Sequence, residues 1–294
     1  MTKFVGTGVA LITPFKKDLS VDYDALSKLV EHNISNGVEY LVISGTTGES
    51  ATISKEEKTA ITAHIAKVNK GRVPLVLGIG GNNTHTIIEE INTTDLSQID
   101  AILSVSPYYS KPTQEGLYQH FKAISIASPK PIILYNVPGR TSKNMLPETT
   151  LRLARDFENI IAVKEAGNDM GQYLELLRDK PEGFHVISGD DDLALAVALA
   201  GGSGVISVIG QALTKEFSEM IRQGIGGNAK EAYKTHFDLI TITNLIFSEN
   251  NPAGIKSVLS ALDLSDSYVR LPLVKASESL KKSIENELKR LGKR

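Results

Sequence analysis

Residues 160–167 read IIAVKEAG: four apolar residues, then Lys164 and Glu165, then Ala166 and Gly167. A near-continuous apolar run of this length suits a strand covered on both faces, as in a parallel sheet flanked by helices. Seven runs of the same kind recur along the chain at intervals of roughly 25–40 residues. They are GVALI (8–12), YLVIS (40–44), VPLVLGI (73–79), AILSV (101–105), PIILYNV (131–137), FHVISG (184–189) and GVISV (204–208). Most are separated by helically spaced apolar residues: Leu26, Leu29 and Val30; Ile61, Ile65 and Val68; Leu151, Leu153 and Ala154. Eight strands alternating with helices predict a (β/α)8 TIM barrel, an α/β fold that takes about 250 residues. The alternative, an open doubly wound sheet, carries a glycine-rich phosphate turn after its first strand. Neither GIGGNN (78–83) nor GIGGNA (224–229) supplies one. The barrel is expected over residues 1–223. A helical extension is expected over 224–294, where KEAYKTHFDLITITNLIF, PAGIKSVLSAL and VKASESLKKSIENELKRLG have helical periodicity.

Composition narrows the chemistry. Hydrophobic residues are 41% and charged residues 22% of the 294, which supports a large core and argues against disorder. A formal charge of −2 and a pI near 6.3 do not provide the basic face that a nucleic-acid or membrane-surface binder needs. The chain has no cysteine, so disulfides, thiol nucleophiles and cysteine metal sites are excluded, and a reducing cytoplasm is the expected location. The N-terminal MTKFVGTGVALITPF is too short and too interrupted for a signal or transmembrane segment.

In such barrels the chemistry sits at the C-terminal ends of the strands. Those positions read SGTTGES (44–50), SPYYSKP (106–112), YNVPGRT (135–141), KEAGN (164–168) and SGDDD (188–192), rich in hydroxyls and without histidine. The six histidines (32, 64, 85, 120, 185 and 236) lack metal-ligand spacing, and HExxH and GxSxG are absent. Asp190–Asp192 read as the acidic first turn of a helix rather than as a metal site.

Lys164 is the exception to the apolar pattern. Period-two alternation puts Ile160, Ala162 and Lys164 on one face of the strand and Ile161, Val163 and Glu165 on the other. If the first face looks into the barrel, the amine enters a low-dielectric lumen, where desolvation disfavours the ammonium and favours a nucleophile able to form a Schiff base. The alternative is a lysine that snorkels to water or pairs with a barrel carboxylate. Tyr135 ends the neighbouring strand on the same face as Ile133, and its phenol can donate or accept the protons that imine chemistry moves. Taken alone, it also suits a core position.

Six motifs carry a resemblance: GTTGES (45–50), PYYSKPTQEGLYQHF (107–121), YNVPGRT, VKEA (163–166), SGDD (188–191) and GGSGVISV (201–208). Together, in this order, they resemble the dihydrodipicolinate synthase family of the pyruvate-dependent class I aldolases and lyases, over nearly the whole chain. The resemblance implies a lyase of lysine and diaminopimelate biosynthesis that joins pyruvate to L-aspartate 4-semialdehyde, with no metal and no organic cofactor. It makes Lys164 the imine-forming lysine and Tyr135 the proton shuttle, linked through Thr47 to Tyr109 of a neighbouring subunit. Thr46 and Thr47 would hold the pyruvate carboxylate and Arg140 the semialdehyde carboxylate, with the backbone of Gly189 and Ile206 lining the pocket. A homodimer at least, and by analogy a tetramer, is implied. The runner-up is an N-acetylneuraminate lyase or another 2-keto-acid aldolase of the superfamily; the GRT after YNVP favours the small anionic aldehyde.

Many members are inhibited by lysine at a dimer-interface site. Ser50, Ala51, Asn82 and Tyr108 match that site, whereas Lys58 stands where a histidine is usual and Thr86 where a glutamate is. An effector ammonium would meet a like charge and lose a carboxylate, so weak or absent inhibition is expected.

Overall fold

The computed structural model describes residues 3–293. Residues 1–2 and 294, which the expected domain limits include, lie outside the described residues. Strands β1 (Gly6–Ala10), β2 (Tyr40–Ile43), β3 (Leu75–Gly78), β4 (Ala101–Val105), β5 (Ile132–Asn136), β6 (Ile160–Glu165), β7 (His185–Ser188) and β8 (Gly204–Ser207) pair in parallel, in chain order. β8 closes onto β1, giving the expected barrel. The helices around and after it are α1 (Tyr23–Ser35), α2 (Lys55–Asn69), α3 (Thr84–Thr93), α4 (Gln114–Ala127), the single turn α5 (Pro138–Thr141), α6 (Pro147–Asp156), α7 (Met170–Asp179) and α8 (Ala194–Leu199). They continue with α9 (Thr214–Ile225), α10 (Ala229–Phe247), α11 (Ala253–Ala261) and α12 (Glu278–Arg290). The expected boundary at 223/224 thus falls just inside the end of α9. No helix among the described residues is long and apolar enough to cross a membrane.

Side chains that satisfy the free N–H groups of a first turn fix where several helices begin. Asp22 receives the N–H groups of Asp24 and Ala25, Asn83 those of His85 and Thr86, and Asp169 those of Gly171 and Gln172. Ser54 and Glu57 form a reciprocal capping box on α2. The loops at the barrel mouth therefore end at defined residues.

The core has two layers. Ala10, Tyr40, Val42, Val76, Leu103, Ile133, Tyr135, Ala162, Ile187 and Ile206 fill the lumen, and a larger cluster including Leu41, Leu134, Val163 and Leu176 packs the strands against the helices. Gly8 makes room for Tyr40: a Cβ there would sit 2.1 Å from the tyrosine ring. One expectation is corrected. Ile160 belongs to the outer cluster, because the β5–β6 register pairs Ile132 with Ile160 but Ile133 with Ala162. This bulge resets the alternation, so Ala162 and Lys164 face inward while Ile160 does not.

Candidate active site

The same register sets Tyr135 opposite Lys164. Both side chains are almost buried, at 7% and 6% exposure, and the Lys164 ammonium lies 4.4 Å from the centroid of the Tyr135 ring. At that separation the cation faces the electron-rich ring. Gly189 is part of the fit: a Cβ on it would stand 2.9 Å from Lys164 Cε and 2.6 Å from the Ala166 methyl. Ile206 is fully buried in the lumen wall.

Behind the strand, Glu165 points the other way and locks the two strands together. Asn136 Nδ2 donates to both of its carboxylate oxygens, at 3.0 and 2.9 Å, and Gln172 Nε2 donates at 2.8 Å. The Tyr173 hydroxyl donates to the Glu165 carbonyl. Burial raises the Glu165 carboxyl to about 7, against these donors.

Asp190 and Asp191 take up positions other than those expected. α8 begins after Leu193 and has no acidic residue in its first turn. Asp190 instead accepts the Asn168 N–H at 2.9 Å, with its Oδ2 3.1 Å from the Tyr173 hydroxyl. Asp191, fully surrounded by protein, accepts the N–H groups of Val208 and Ile209 at 3.0 and 2.9 Å. Burial raises Asp191 to about 6, while the Lys164 charge acts in the opposite direction on both carboxyls. Lys164 therefore sits among polar groups rather than hydrocarbon alone.

A cavity of about 950 Å³ opens at the C-terminal ends of the strands. Thr46, Tyr135 and Arg140 line it, and its outer part is lined by Ser50, Ala51, Lys58, Thr86 and Tyr108. Asn82 is exposed and Tyr109 is 90% exposed, and neither is on the wall; nor are Lys164, Gly189 and Ile206, although the last two were expected to line the pocket. Thr47 lies buried beneath the wall, where its hydroxyl accepts from Asn251 Nδ2 at 2.9 Å. The structure thus brings Thr46, rather than Thr47, to the cavity beside Tyr135. Arg140 is exposed on α5 and reaches the Asn251 carbonyl at 3.5 Å.

The Dihydrodipicolinate synthetase family profile matches residues 3–291. The chain belongs to this family. Its sequence is 56% identical over 293 residues to the 4-hydroxy-tetrahydrodipicolinate synthase of Flavobacterium psychrophilum, covering 100% of both chains. The crystal structure of dihydrodipicolinate synthase from Thermotoga maritima covers 100% of both chains at 36% identity, with a TM-score of 0.97. A chloride-inhibited dihydrodipicolinate synthase from Acinetobacter baumannii, complexed with pyruvate, covers 99% of this chain and 100% of its own, at 39% identity and a TM-score of 0.96. The dihydrodipicolinate synthetase family is one of pyruvate-dependent lyases of class I aldolase type, and this chain is an enzyme of it.

Within this member of the dihydrodipicolinate synthetase family, several residues at the site escape sequence reasoning. Asn251, Pro272 and Leu273 reach the cavity from the C-terminal extension, whereas Ser44, inside the quoted SGTTGES, lines it in a left-handed conformation (φ 54) that the sequence does not announce. The Asn-Pro pair at 251–252, breaking a helical pattern, was the one signal in the sequence. Lys58 also differs from expectation. Its ammonium, on the cavity wall, is held by Glu90 Oε1 and the Gly78 carbonyl, each at 2.5 Å, so its charge is compensated within the chain.

Proposed function

We propose that this chain is a 4-hydroxy-tetrahydrodipicolinate synthase, condensing pyruvate with L-aspartate 4-semialdehyde through an imine on Lys164. The observation that carries the reading is the Lys164 amine held against the ring of Tyr135, which itself lines a cavity with Thr46 and Arg140, in a chain of this family. The unprotonated Nζ attacks the keto carbon of pyruvate, and water leaves as the imine forms. The protonated imine draws electrons from the methyl group, which loses a proton and becomes an enamine. That carbon attacks the aldehyde. The amino group of the second substrate then closes the ring on the imine carbon and releases Lys164. Tyr135 carries protons in these steps, Thr46 and the backbone of its turn hold the keto-acid carboxylate, and Arg140 receives the carboxylate of the semialdehyde. Every step is accounted for by side chains and substrates, so the reading calls for no metal or organic cofactor. Residues 1–223 act as the catalytic barrel and 224–294 as its helical brace.

The working unit is a homodimer, assembled in pairs into a tetramer, in which Tyr109 of one subunit completes the site of the other. Its exposure on the single chain supports this, and the cysteine-free composition suits a cytoplasmic enzyme. Borohydride added with pyruvate tests the chemistry: a stable adduct on Lys164 is expected, and none in Lys164→Ala. Parallel assays with aspartate semialdehyde and with N-acetylneuraminate separate the synthase from a sugar-acid lyase. Consumption of N-acetylneuraminate alone would overturn the synthase reading.

A further inference from the structure

The turn that carries Thr46 is braced by side chains from distant parts of the chain. Thr46–Gly48 is one 3-10 turn without a side-chain cap, and it ends on Glu49 in the left-handed region (φ 57, ψ 37), a conformation that non-glycine residues seldom adopt. Most of its anchors come from the far end of the chain, with Thr13 the exception. Glu49 is buried, and one carboxylate oxygen accepts from Lys256 of α11 at 2.5 Å. The other accepts the Arg270 N–H at 2.9 Å. Lys256 has 0% exposure, donates also to the Tyr268 carbonyl at 2.7 Å, and lies 4.2 Å from the Phe15 ring centroid. Arg270 grips Glu57 with two hydrogen bonds, at 2.7 and 2.6 Å, and binds the Thr52 carbonyl at 2.9 Å. Asn251 reaches Thr47, and the Thr13 hydroxyl donates to the Gly48 carbonyl at 2.7 Å.

A buried ion pair is a weak device for stability, because desolvation offsets most of the attraction; an apolar pair of similar volume often does as well. What it fixes is direction. Here both oxygens of Glu49 are assigned to specific donors on the extension, so the carboxylate fixes the backbone from which Thr46 and Thr47 project. We propose that Lys256 and Glu49 are positioning residues for the keto acid, through which the C-terminal extension sets the shape of the carboxylate-binding turn. This rests on the reading that Thr46 and its turn hold the pyruvate carboxylate.

The test is Glu49→Gln/Lys256→Met, which removes both charges together so that neither is left buried alone. The folded double variant is expected to trap pyruvate on Lys164 with borohydride, as the unaltered enzyme does. Its KM for pyruvate should rise about tenfold or more, with KM for aspartate semialdehyde within twofold and kcat within about threefold. Lys256→Arg, which keeps the donor and its charge, should restore pyruvate KM to within about threefold of the unaltered enzyme. A merely structural pair would change melting temperature and active fraction while leaving both KM values alone, and that result overturns the proposal. Equal rises in both KM values would overturn it too. If the double variant does not accumulate as folded protein, Glu49→Asp, which keeps the charge on a shorter stem, is read by the same KM criteria. Failure of the unaltered enzyme to trap pyruvate would instead defeat the underlying reading.

Discussion

At the scale of single residues, burial decides which groups carry charge. His120 on α4 shows this away from the site. It is buried, its Nδ1 shares a hydrogen bond of 2.8 Å with Thr84, and its Nε2 has no partner. Burial pulls its pKa down to about 4, so the folded protein keeps it neutral well below the usual imidazole range. The unfolded chain takes up that proton near pH 6.5, so it binds more protons than the folded chain between about 4 and 6.5. Stability from this residue is therefore complete above about pH 6.5 and is lost as the pH falls towards 4. Denaturant titrations at pH 7, 5.5 and 4 should show His120→Gln losing less stability across this window than the unaltered protein, by about 3 kcal/mol at most. Parallel losses in the two proteins would mean that His120 is protonated in the fold. Lys164 was legible at this scale because a charged residue interrupts an apolar run. The role of His120 was not, since nothing in QHF tells which face of α4 is covered.

At the scale of elements, the site depends on how β5 and β6 are joined. Asn136 Oδ1 accepts the Met145 N–H at 2.9 Å, and Gln172 Oε1 accepts from Asn144 at 2.8 Å. Both amides are thereby oriented with their N–H groups toward Glu165. Glu165→Gln would set an amide NH2 against one of these donors, at a cost of about 1–3 kcal/mol. Calorimetry should find the melting temperature lowered by several degrees, and an unchanged value would show the network to be slack. The eight strands were legible because apolar runs bounded by turn residues need no knowledge of the partner strand. The bulge before Ala162 was not, because it exists only in the register with β5. β1 likewise begins at Gly6 rather than Gly8 and ends at Ala10, since the Ile12 N–H is taken by Gln211 Oε1 at 2.9 Å. Lys256 and Glu49 were invisible for the same reason. Their 207-residue separation gives no local pattern, whereas Tyr135 and Lys164 each end a readable strand.

At the scale of the whole molecule, the single chain leaves a large aromatic side chain in solvent. Tyr109 stands 90% exposed in a left-handed conformation (φ 70), beside a cavity whose outer wall carries Ser50, Lys58 and Thr86. On that wall Glu90 is bound to Lys58 and Glu89 lies 3.3 Å from His85, and neither position 58 nor position 86 supplies a carboxylate for an added ammonium. Lysine at about 1 mM should leave the rate unchanged, and half-inhibition below that concentration would show that the wall accepts it. Tyr109 invites a sharper test. If it serves the site of a second copy, Tyr109→Ala and Lys164→Ala impair the same site from different chains. In a mixed dimer, the subunit that keeps Lys164 receives Tyr109 from its partner, so one of the two sites is whole. Random exchange at equal amounts makes half the dimers mixed, and the mixture should recover about a quarter of the unaltered activity, well above either parent alone. If Tyr109 acts on its own chain, no mixed dimer contains an intact site, and the mixture performs only as the average of its parents. Sedimentation of each parent as the same oligomer is the control that makes the comparison fair, since a variant unable to associate could not complement under either arrangement.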